Sequence, residues 1–439
     1  MAPDSGDSAL PKRDVLVRPF PGACQAGPVR ETLRPVAGAF VAFGVFWGSW
    51  AVAATDVERS LHLSHAGLGL LLSVSVGAGG VAAAASGGLA ERWGTARTLA
   101  WAMVLWGAVS AAATISAGRV LFVAAFVLAM VSAGLVDMAM NAAAAAGLRG
   151  DAGRMVRFHA LFNGGALVGA AATGTLLHAG LSWRWTWGGV GLVAIGLSLL
   201  TRSARLAGAT PRPPEPEGLD SAVPAATTSP KESGTGHSLL RSFAAVRAEH
   251  LVVLAFAFAV TAVVEGGIDT WGVLFLRTHL AAGVLLGAGA YAVGQGIAVA
   301  TRGAGGPLIG RVGARWGLVL GAGVATIGLG LEAASTQAAT AAVGLALAAG
   351  GISLCWPLVM AVLSGIGHAG PIEGQPPRSS AALVGAFTAA GYLGWVVGPA
   401  VVGTIADSAG LAAGLLVLAG LAATAAVTLA AVPARPRPG

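Results

Sequence analysis

The sequence predicts an all-α membrane protein with twelve transmembrane helices arranged as two parallel six-helix repeats. Three observations support this prediction: long apolar blocks, a bias in the positions of the basic residues, and a repeat between the two halves. Of the 439 residues, 55% are hydrophobic and only 10% are charged, and the mean hydropathy is +0.76. Since about a quarter of the residues in a soluble domain are charged, the composition excludes a soluble globular class.

The apolar residues form continuous blocks, such as 36–55, 99–116 and 411–432. Each block is about as long as the ~20 residues that a helix needs to cross a bilayer. Membrane β-barrels instead show alternating segments of about ten residues, so we expect helices. The predicted spans are 34–55, 66–90, 98–116, 119–146, 158–180 and 183–203, followed by 250–276, 281–305, 315–333, 338–366, 379–406 and 410–431.

These spans divide the chain into five parts: a tail 1–33, a half 34–203, a linker 204–248, a half 249–432 and a tail 433–439. The linker is rich in proline and charge, so we expect it to form no core of its own. Because the first 33 residues are polar, we interpret them as a cytoplasmic tail and not as a cleaved signal peptide.

The basic residues predict the orientation of the chain. Of the 26 Lys and Arg residues, 21 lie in the tails and in the loops after helices 2, 4, 6, 8 and 10. The positive-inside rule then places both termini in the cytoplasm, and we expect a bacterial inner-membrane protein. Although the sequence pI is near 10.6, these residues form no single basic face, so we expect no nucleic-acid partner.

Two cysteines, Cys24 and Cys355, provide neither a disulfide framework nor a metal-ligand set. The chain also lacks the Gly-x-x-x-x-Gly-Lys-Ser/Thr loop that binds nucleotide phosphates. We therefore expect no cofactor, no metal and no ATP-driven step in this chain.

The two halves repeat each other at nearly constant spacings. The segment 88–97 after helix 2 recurs as 306–315 after helix 8, an offset of 218 (306 − 88). Glycines of helix 5 recur in helix 11 at an offset of 229, as Gly165 and Gly394 illustrate, and Trp50 of helix 1 matches Trp271 of helix 7 at 221. Such spacings preserve the direction of each crossing, so the halves are predicted to be parallel copies.

The loop after helix 2 contains a recognisable motif: glycine, three residues, an acid, a base, one residue, glycine and a further base. Its residues are Gly88, Glu91, Arg92, Gly94 and Arg97. This motif resembles the signature of the major facilitator superfamily, with Glu91 in place of the usual Asp. The resemblance implies that helices 2 and 11 approach closely at the glycines and that the charged residues form a gating latch. A solvated loop without a role is the alternative.

The second copy of the motif contributes Arg311 and Arg315 to the predicted latch but has Gly310 at the position of the acid. Four further stretches, 137–142, 157–165, 264–271 and 391–394, look like a bacterial branch of the superfamily that is distantly related to sugar proton symporters. In that branch an acid directly precedes the helix 7 tryptophan. Here Thr270 precedes Trp271, and the acid, Asp269, comes one place earlier.

Polar side chains inside the predicted spans are the candidate transport residues. A charge at the bilayer centre costs at least about 2.5–3.5 kcal/mol and tends to face a cavity or a partner. Three pairs lie four residues apart and therefore share a helix face: Asp137 with Asn141, His159 with Asn163, and Glu265 with Asp269.

The helix 7 acids have no counterpart in helix 1, where the offset of 221 gives Gly44 and Gly48. Because burial favours the neutral form of a carboxyl group, we expect Glu265 first, and Asp137 second, to carry a coupled proton. Two alternatives stay open at this point. The helix 7 acids could form an extracellular gate or an ion pair with Arg277, and Asp137 could be a hydrogen-bonded structural group.

The remaining candidates have less specific signals. His159 is interpreted either as an interfacial residue or as a cavity group, and for Arg302 we favour a side chain that snorkels to the membrane edge over one that binds an anionic substrate. We expect Trp50, Trp271 and above all Trp356 to line the substrate cavity, although tryptophan is also common at membrane interfaces.

These observations predict a secondary active transporter that moves a small organic solute by alternating access, as a monomer in the lipid bilayer and in symport with protons. A drug or metabolite exporter that works by proton antiport is the alternative. We expect no enzymatic activity, because neither a nucleophile with its base nor a metal-ligand cluster is present in the sequence.

Overall fold

A computed structural model describes residues 33–116, 118–148, 152–203, 251–359 and 380–431. Within these ranges every regular element is a helix. The first half contains α1 (Arg34–Ser60), α2 (His65–Trp93), α3 (Thr95–Ile115), α4 (Arg119–Gly147), α5 (Ala152–His178) and α6 (Arg184–Ser203). The predicted linker, the C-terminal tail and residues 1–32 lie outside the described residues.

The second half begins with α7 (Val252–Thr278), which contains a π-helical turn at Ile268–Gly272. It continues with α8 (Val284–Val312), α9 (Ala314–Ala334) and α10 (Ala338–Ile352), and α10 resumes as far as Val359 after a turn at 353–354. The last two helices are α11 (Ser380–Ala409) and α12 (Leu411–Ala431).

Each of the twelve predicted spans corresponds to one helix in the described ranges. Eleven of the helices are long and apolar enough to cross a membrane, and the other, α6, has 20 residues. The predicted ends were wrong mainly in two places. Helix α5 begins at Ala152 and α8 continues to Val312, because these helices extend beyond their apolar segments into residues that carry charge.

The turns after α2 and α8 confirm the internal repeat and correct its register. Gly94 has φ 82° and ψ 149°, and Gly313 has φ 84° and ψ 150°. Glycine adopts such positive φ values readily because it has no Cβ. The structural offset of this loop is therefore 219 (313 − 94), one residue more than the predicted 218.

Helix packing repeats as well. A Cβ atom added to Gly165 of α5 would lie 2.2 Å from the carbonyl oxygen of Val41 in α1, and one added to Gly394 of α11 would lie 2.4 Å from that of Ala259 in α7. These contacts confirm the offset of 229 between α5 and α11. They also give an offset of 218 (259 − 41) between α1 and α7, so the predicted 221 was wrong by three residues.

The corrected register does not change the asymmetry of the acids. At an offset of 218, Glu265 of α7 aligns with Trp47 of α1 and not with Gly44. Helix α1 therefore still has no acid at the position equivalent to Glu265. The helix packing is thus shared by both halves, whereas the acid at the position of Glu265 is present only in the second half.

The halves meet where α2 packs against α11, α5 against α8, and α1 against α7. Glycines bring α2 and α11 into backbone contact: a Cβ atom on Gly69 would lie 2.2 Å from the carbonyl oxygen of Pro399, and one on Gly403 would lie 2.4 Å from that of His65. Membrane helices associate through such close packing, since small residues let the backbones approach.

This contact predicts the effect of a single methyl group. Gly69→Ala is expected to destabilise the folded protein by about 1–3 kcal/mol, because the added Cβ overlaps the backbone of α11. Thermal unfolding of the purified protein in detergent measures the effect. Gly420→Ala is the matched control, because a Cβ on Gly420 meets no described atom within 4 Å. Equal melting temperatures for the two variants would contradict the contact.

Candidate functional site

Both tyrosines of the chain donate hydrogen bonds to acids of the predicted set. Tyr291 Oη donates to Asp269 Oδ1 at 2.6 Å, which joins α8 to the π-helical turn of α7. Tyr392 Oη donates to Asp137 Oδ2 at 2.7 Å, which joins α11 to α4 and so connects the two halves. Asn141 Nδ2 donates to Asp137 Oδ1 at 2.9 Å, so the predicted pair on α4 acts as one unit.

A second connection between the halves is formed by Arg302 of α8 and Asn163 of α5. Arg302 Nη1 donates to Asn163 Oδ1 at 2.5 Å, and Asn163 Nδ2 donates to Gln295 Oε1 at 2.6 Å. Arg302 Nε also donates to the carbonyl oxygen of Ser353 at 3.1 Å. Because only 4% of Arg302 is exposed, the interpretation that it snorkels to the membrane edge was wrong.

Glu265 of α7 lies next to this connection, and Asp269 follows it four residues later in the π-helical turn. Glu265 is partly exposed and interacts electrostatically with Arg302 and with Asp269. The alternative in which these acids pair with Arg277 was wrong, because Arg277 Nη1 donates to Asp56 Oδ2 of α1 at 2.5 Å.

The other predicted residues have diverse surroundings. His159 presents its ring edge-on to Phe40, with centroids 5.2 Å apart, and its carbonyl oxygen lies 3.5 Å from Arg302 Nη1. Trp356 is half-buried and packs on Phe258 with centroids 4.8 Å apart. His159 therefore contacts the Arg302 connection through its backbone.

The other two tryptophans are completely buried. Trp271 lies in the π-helical turn and meets the ring of His65 edge-on at 6.0 Å. Trp50 stacks on Phe126 at 5.1 Å, inside the aromatic core of the first half. This position favours a packing role for Trp50 over the predicted role in a cavity wall.

Several residues of the site were missed by the sequence analysis. Tyr291 and Gln295 lie four residues apart in an apolar span, which is the same signal that identified the predicted pairs. Trp47 of α1 meets Trp395 of α11 at 5.4 Å across the halves, and no pattern in the sequence indicates that contact. Glu332 was also missed, although it is a single acid inside the apolar helix α9.

Polar bonds close the bundle at the end where α1 joins α2, which we call the α1–α2 end. Arg277 of α7 holds Asp56 of α1, as described above. Asp407 of α11 accepts the backbone N–H groups of His65 and Ala66 at 3.0 Å each, where its negative charge is favourable at the start of α2. His65 Nδ1 lies 2.5 Å from Glu58 Oε1. These contacts tie both halves together at this end.

A cavity of about 410 Å³ opens at the α1–α2 end and is lined by Glu58, Arg59, His62, Leu63, Ser64, His65 and Asp407. In the part of the chain that the structure describes, no group of three or more His, Cys, Asp or Glu side chains is arranged to hold a metal ion.

The opposite end, where α2 joins α3, is called the α2–α3 end and contains the predicted latch. Arg92 and Arg97 are exposed there. Arg315 Nε donates to the carbonyl oxygen of Leu429 in α12 at 3.1 Å, within its own half. The side chains of Glu91 and Arg311 lie outside the described residues.

A Cβ atom added to Gly88 meets no described atom within 4 Å, but the side chains at 380–386 of α11 lie outside the described residues, so the expected close approach of α2 and α11 at this glycine stays a prediction. Within the described residues, the glycines that bring the two helices together lie nearer the α1–α2 end. Gly94 instead permits the turn between α2 and α3.

The Arg302 connection predicts a loss of stability on conservative substitution. Arg302→Lys keeps the charge but cannot donate both to Asn163 and to the Ser353 carbonyl with the same planar group. Leaving a buried polar group unpaired costs about 1–3 kcal/mol, and thermal unfolding in detergent measures it. The exposed Arg119→Lys serves as the control, and an unchanged melting temperature for Arg302→Lys would refute the bonding scheme.

Comparison with known proteins identifies a family. The family model of the Major Facilitator Superfamily matches residues 36–370, whereas no curated protein sequence matches the chain.

Solved structures share the fold at low identity. A mutant of the nucleoside transporter NupG gives a TM-score of 0.69 at 15% identity, covering 91% of this chain and 98% of that one. A bacterial homolog of the human lysosomal transporter Spinster, solved in an inward-facing and unoccupied conformation, gives 0.67 at 14%, covering 90% and 95%. The human organic anion transporter MFSD10 gives 0.66 at 15%, covering 92% and 100%.

Proposed function

The chain belongs to the Major Facilitator Superfamily of membrane transporters, and from this premise we propose that it moves a small organic solute by alternating access, in symport with protons. The observation that carries the proposal is the buried polar network between the halves. It contains the acids Glu265 and Asp269 beside the Arg302–Asn163 hydrogen bond.

This network has the parts that proton coupling requires. Glu265 and Asp269 are ionisable groups inside a span, where a charge is costly unless it has a partner. Asp269 accepts a hydrogen bond from Tyr291, and Arg302 balances part of the charge on Glu265. Protonation of Glu265 changes its attraction to Arg302, and the bonds of Arg302 reach the other half through Asn163. Proton binding is thereby linked to the contact between the halves.

Asp137 offers a second link of the same kind. Its carboxyl group connects α4 to α11 through Tyr392, so a proton on Asp137 weakens the acceptor of a bond between the halves. Two half-buried tryptophan rings lie where α7, α10 and α11 meet. Trp356 of α10 faces Gly391 of α11, and Trp395 of α11 faces Gly266 of α7. They are our proposed lining for the apolar part of the solute.

We further propose that both termini lie in the cytoplasm of a bacterial inner membrane, with the α1–α2 end outside. Four features support this orientation and an inward-facing conformation: the distribution of basic residues, the bonds that close the α1–α2 end, the exposed latch arginines, and the similarity to an inward-facing structure. Export by proton antiport uses the same network in the opposite direction, so a transport assay decides between them.

The direct test uses purified protein in liposomes with an imposed pH gradient. Nucleosides and organic anions belong in the substrate screen beside sugars, amino acids and drugs, because two structurally similar transporters are described by those substrates. Solute that accumulates on the alkaline side supports symport, and solute that accumulates on the acidic side supports antiport. No movement of any solute under any gradient would contradict the proposal.

Substitution of the acids separates coupling from binding. Glu265→Gln and Asp269→Asn are expected to lower gradient-driven accumulation at least tenfold, because each amide removes a group that binds the coupled proton. Solute exchange without a gradient is expected to continue, because it requires solute binding but no proton. Asp137→Asn is tested in parallel. Accumulation that keeps its full pH dependence in all three variants would refute the assigned coupling role.

The closure of the α1–α2 end can be followed with the native thiol Cys355, which is buried and interacts electrostatically with Arg302 and Glu265. In a Cys24→Ser background, Asp56→Asn is expected to lower the labelling rate of Cys355 by a small methanethiosulfonate reagent, because weakening the ion pair with Arg277 favours the state in which the opposite end, nearer Cys355, is closed. Arg59→Gln removes an exposed charge from the same helix and is the control. Equal labelling rates would show that the ion pair does not control access.

A further inference from the structure

Glu332 is a buried acid that the proposed transport network does not use. It lies near the end of α9, two residues before Ala334, and its side chain is completely buried. Neither Oε1 nor Oε2 has a hydrogen-bond partner among the described residues. An acid in this state differs from Asp137 and Asp269, each of which accepts a hydrogen bond from a tyrosine.

The surroundings of Glu332 are small and apolar. Oε1 lies 3.4 Å from the position of a Cβ on Gly272, the last residue of the π-helical turn of α7. A Cβ on Gly344 of α10 would lie 2.6 Å from the backbone nitrogen of Glu332. The carboxyl group therefore lies directly against Gly272 of the turn that carries Asp269, while Gly344 lets the backbones of α9 and α10 approach at Glu332.

No cation in the described residues balances Glu332. Helix α9 packs against α10 and α12 and touches α8, and the described parts of α10 and α12, 338–359 and 411–431, contain no Asp, Glu, Lys, Arg or His. The charged side chains that the structure describes on α7 and α8 have other partners: Glu265 interacts with Arg302, Asp269 binds Tyr291, Arg277 binds Asp56, and Arg302 binds Asn163.

These contacts determine the state of the carboxyl group. An ionised carboxylate in an apolar medium, without hydrogen bonds or a counter-charge, is far less stable than the neutral acid. The geometry therefore points to a bound proton. We propose that Glu332 is a second proton-binding site of the C-terminal half, occupied while the α1–α2 end is closed and separate from the acids at Glu265 and Asp269.

The position of the site explains how its proton would be exchanged. Glu332 is only a few residues from the α1–α2 end, whereas Asp269 lies deeper along α7. When α7 moves away from α9, the carboxyl group gains water, loses its proton to that water and becomes a carboxylate. The reverse movement requires that a proton from the same aqueous phase rejoins the carboxylate. Glu332 thus makes the packing of the π-helical turn against α9 dependent on proton binding.

Infrared spectroscopy tests the occupancy directly. At neutral pH the wild-type protein is expected to show the C=O stretching band of a protonated carboxyl group without hydrogen bonds, and Glu332→Gln is expected to abolish that band. Glu58→Gln is the matched control at the same end of the bundle, because Glu58 lies 2.5 Å from His65 and should contribute no such band. A band that persists in Glu332→Gln would overturn the proposal.

A second measurement covers the case in which Glu332→Gln fails to fold. Glu332→Leu replaces the neutral acid by an apolar side chain, and its melting temperature is expected to rise relative to wild type as the pH increases, because only the wild-type group must remain protonated in the folded state. A difference in melting temperature that does not change with pH would also overturn the proposal.

The link to gating rests on the proposed function, but the test of the proton site does not. In Arg277→Gln, which weakens the closure of the α1–α2 end, the infrared band is expected to decrease as water reaches Glu332. Since neither measurement needs a solute, a failure to find any transported solute would count against the proposed function alone. A missing Glu332 band would count against the proton site alone.

Discussion

A polar group in the hydrocarbon core of a membrane has no water to bond with, so its partner must come from the protein. At two places in this chain the partner lies on a helix of the other half. Arg302 of α8 donates a hydrogen bond to Asn163 of α5, and Tyr392 of α11 donates one to Asp137 of α4. Both bonds connect one half to the other. The halves cannot separate at these points without leaving a buried group unpaired or supplying another partner, such as water, a solute or a proton.

The same requirement explains why charge is distributed unevenly in the structure. Within the described ranges, α2 and α11 meet across the halves at small residues such as Gly69 and Gly403. Such contacts hold helices together without specifying a state. The few polar contacts, in contrast, involve ionisable groups, and their strength depends on which charges are present. Packing contacts and polar contacts between the halves are therefore built from different residue types.

Most of the fold could be predicted from the sequence, because apolar block length and repeat spacing are direct physical signals. The exact offset between equivalent residues of the two halves was harder to predict from the sequence. Matching Trp50 to Trp271 gave an offset of 221 for α1 and α7, whereas helix contacts before the π-helical turn give 218. The extra residue of that turn and the different surroundings of the two tryptophans cannot be read from hydrophobic periodicity.

The site was predicted only in part, for a related reason. Periodicity shows which residues share a helix face, and it correctly joined Asp137 to Asn141. It does not show which faces meet, so the contacts of Gln295 and Tyr291 were not predicted, although these two residues also share a helix face, and Arg302 was assigned to the membrane edge. Glu332 was overlooked because no polar residue lies four places from it on α9. A lone acid in an apolar span is informative even when it forms no pattern.

The π-helical turn of α7 has one further consequence. A π turn holds one residue more than an α turn, and one residue corresponds to about 100° of rotation in an α-helix. The part of α7 that carries Arg277 is therefore rotated relative to the part that carries Glu265. If the turn relaxed to a regular α-helix, the segment that carries Arg277 would rotate about the helix axis relative to the segment that carries Glu265. Arg277 would then leave Asp56 while Glu265 kept its position. The one additional residue of the π-helical turn would then allow the two segments of α7 to rotate relative to each other within the membrane.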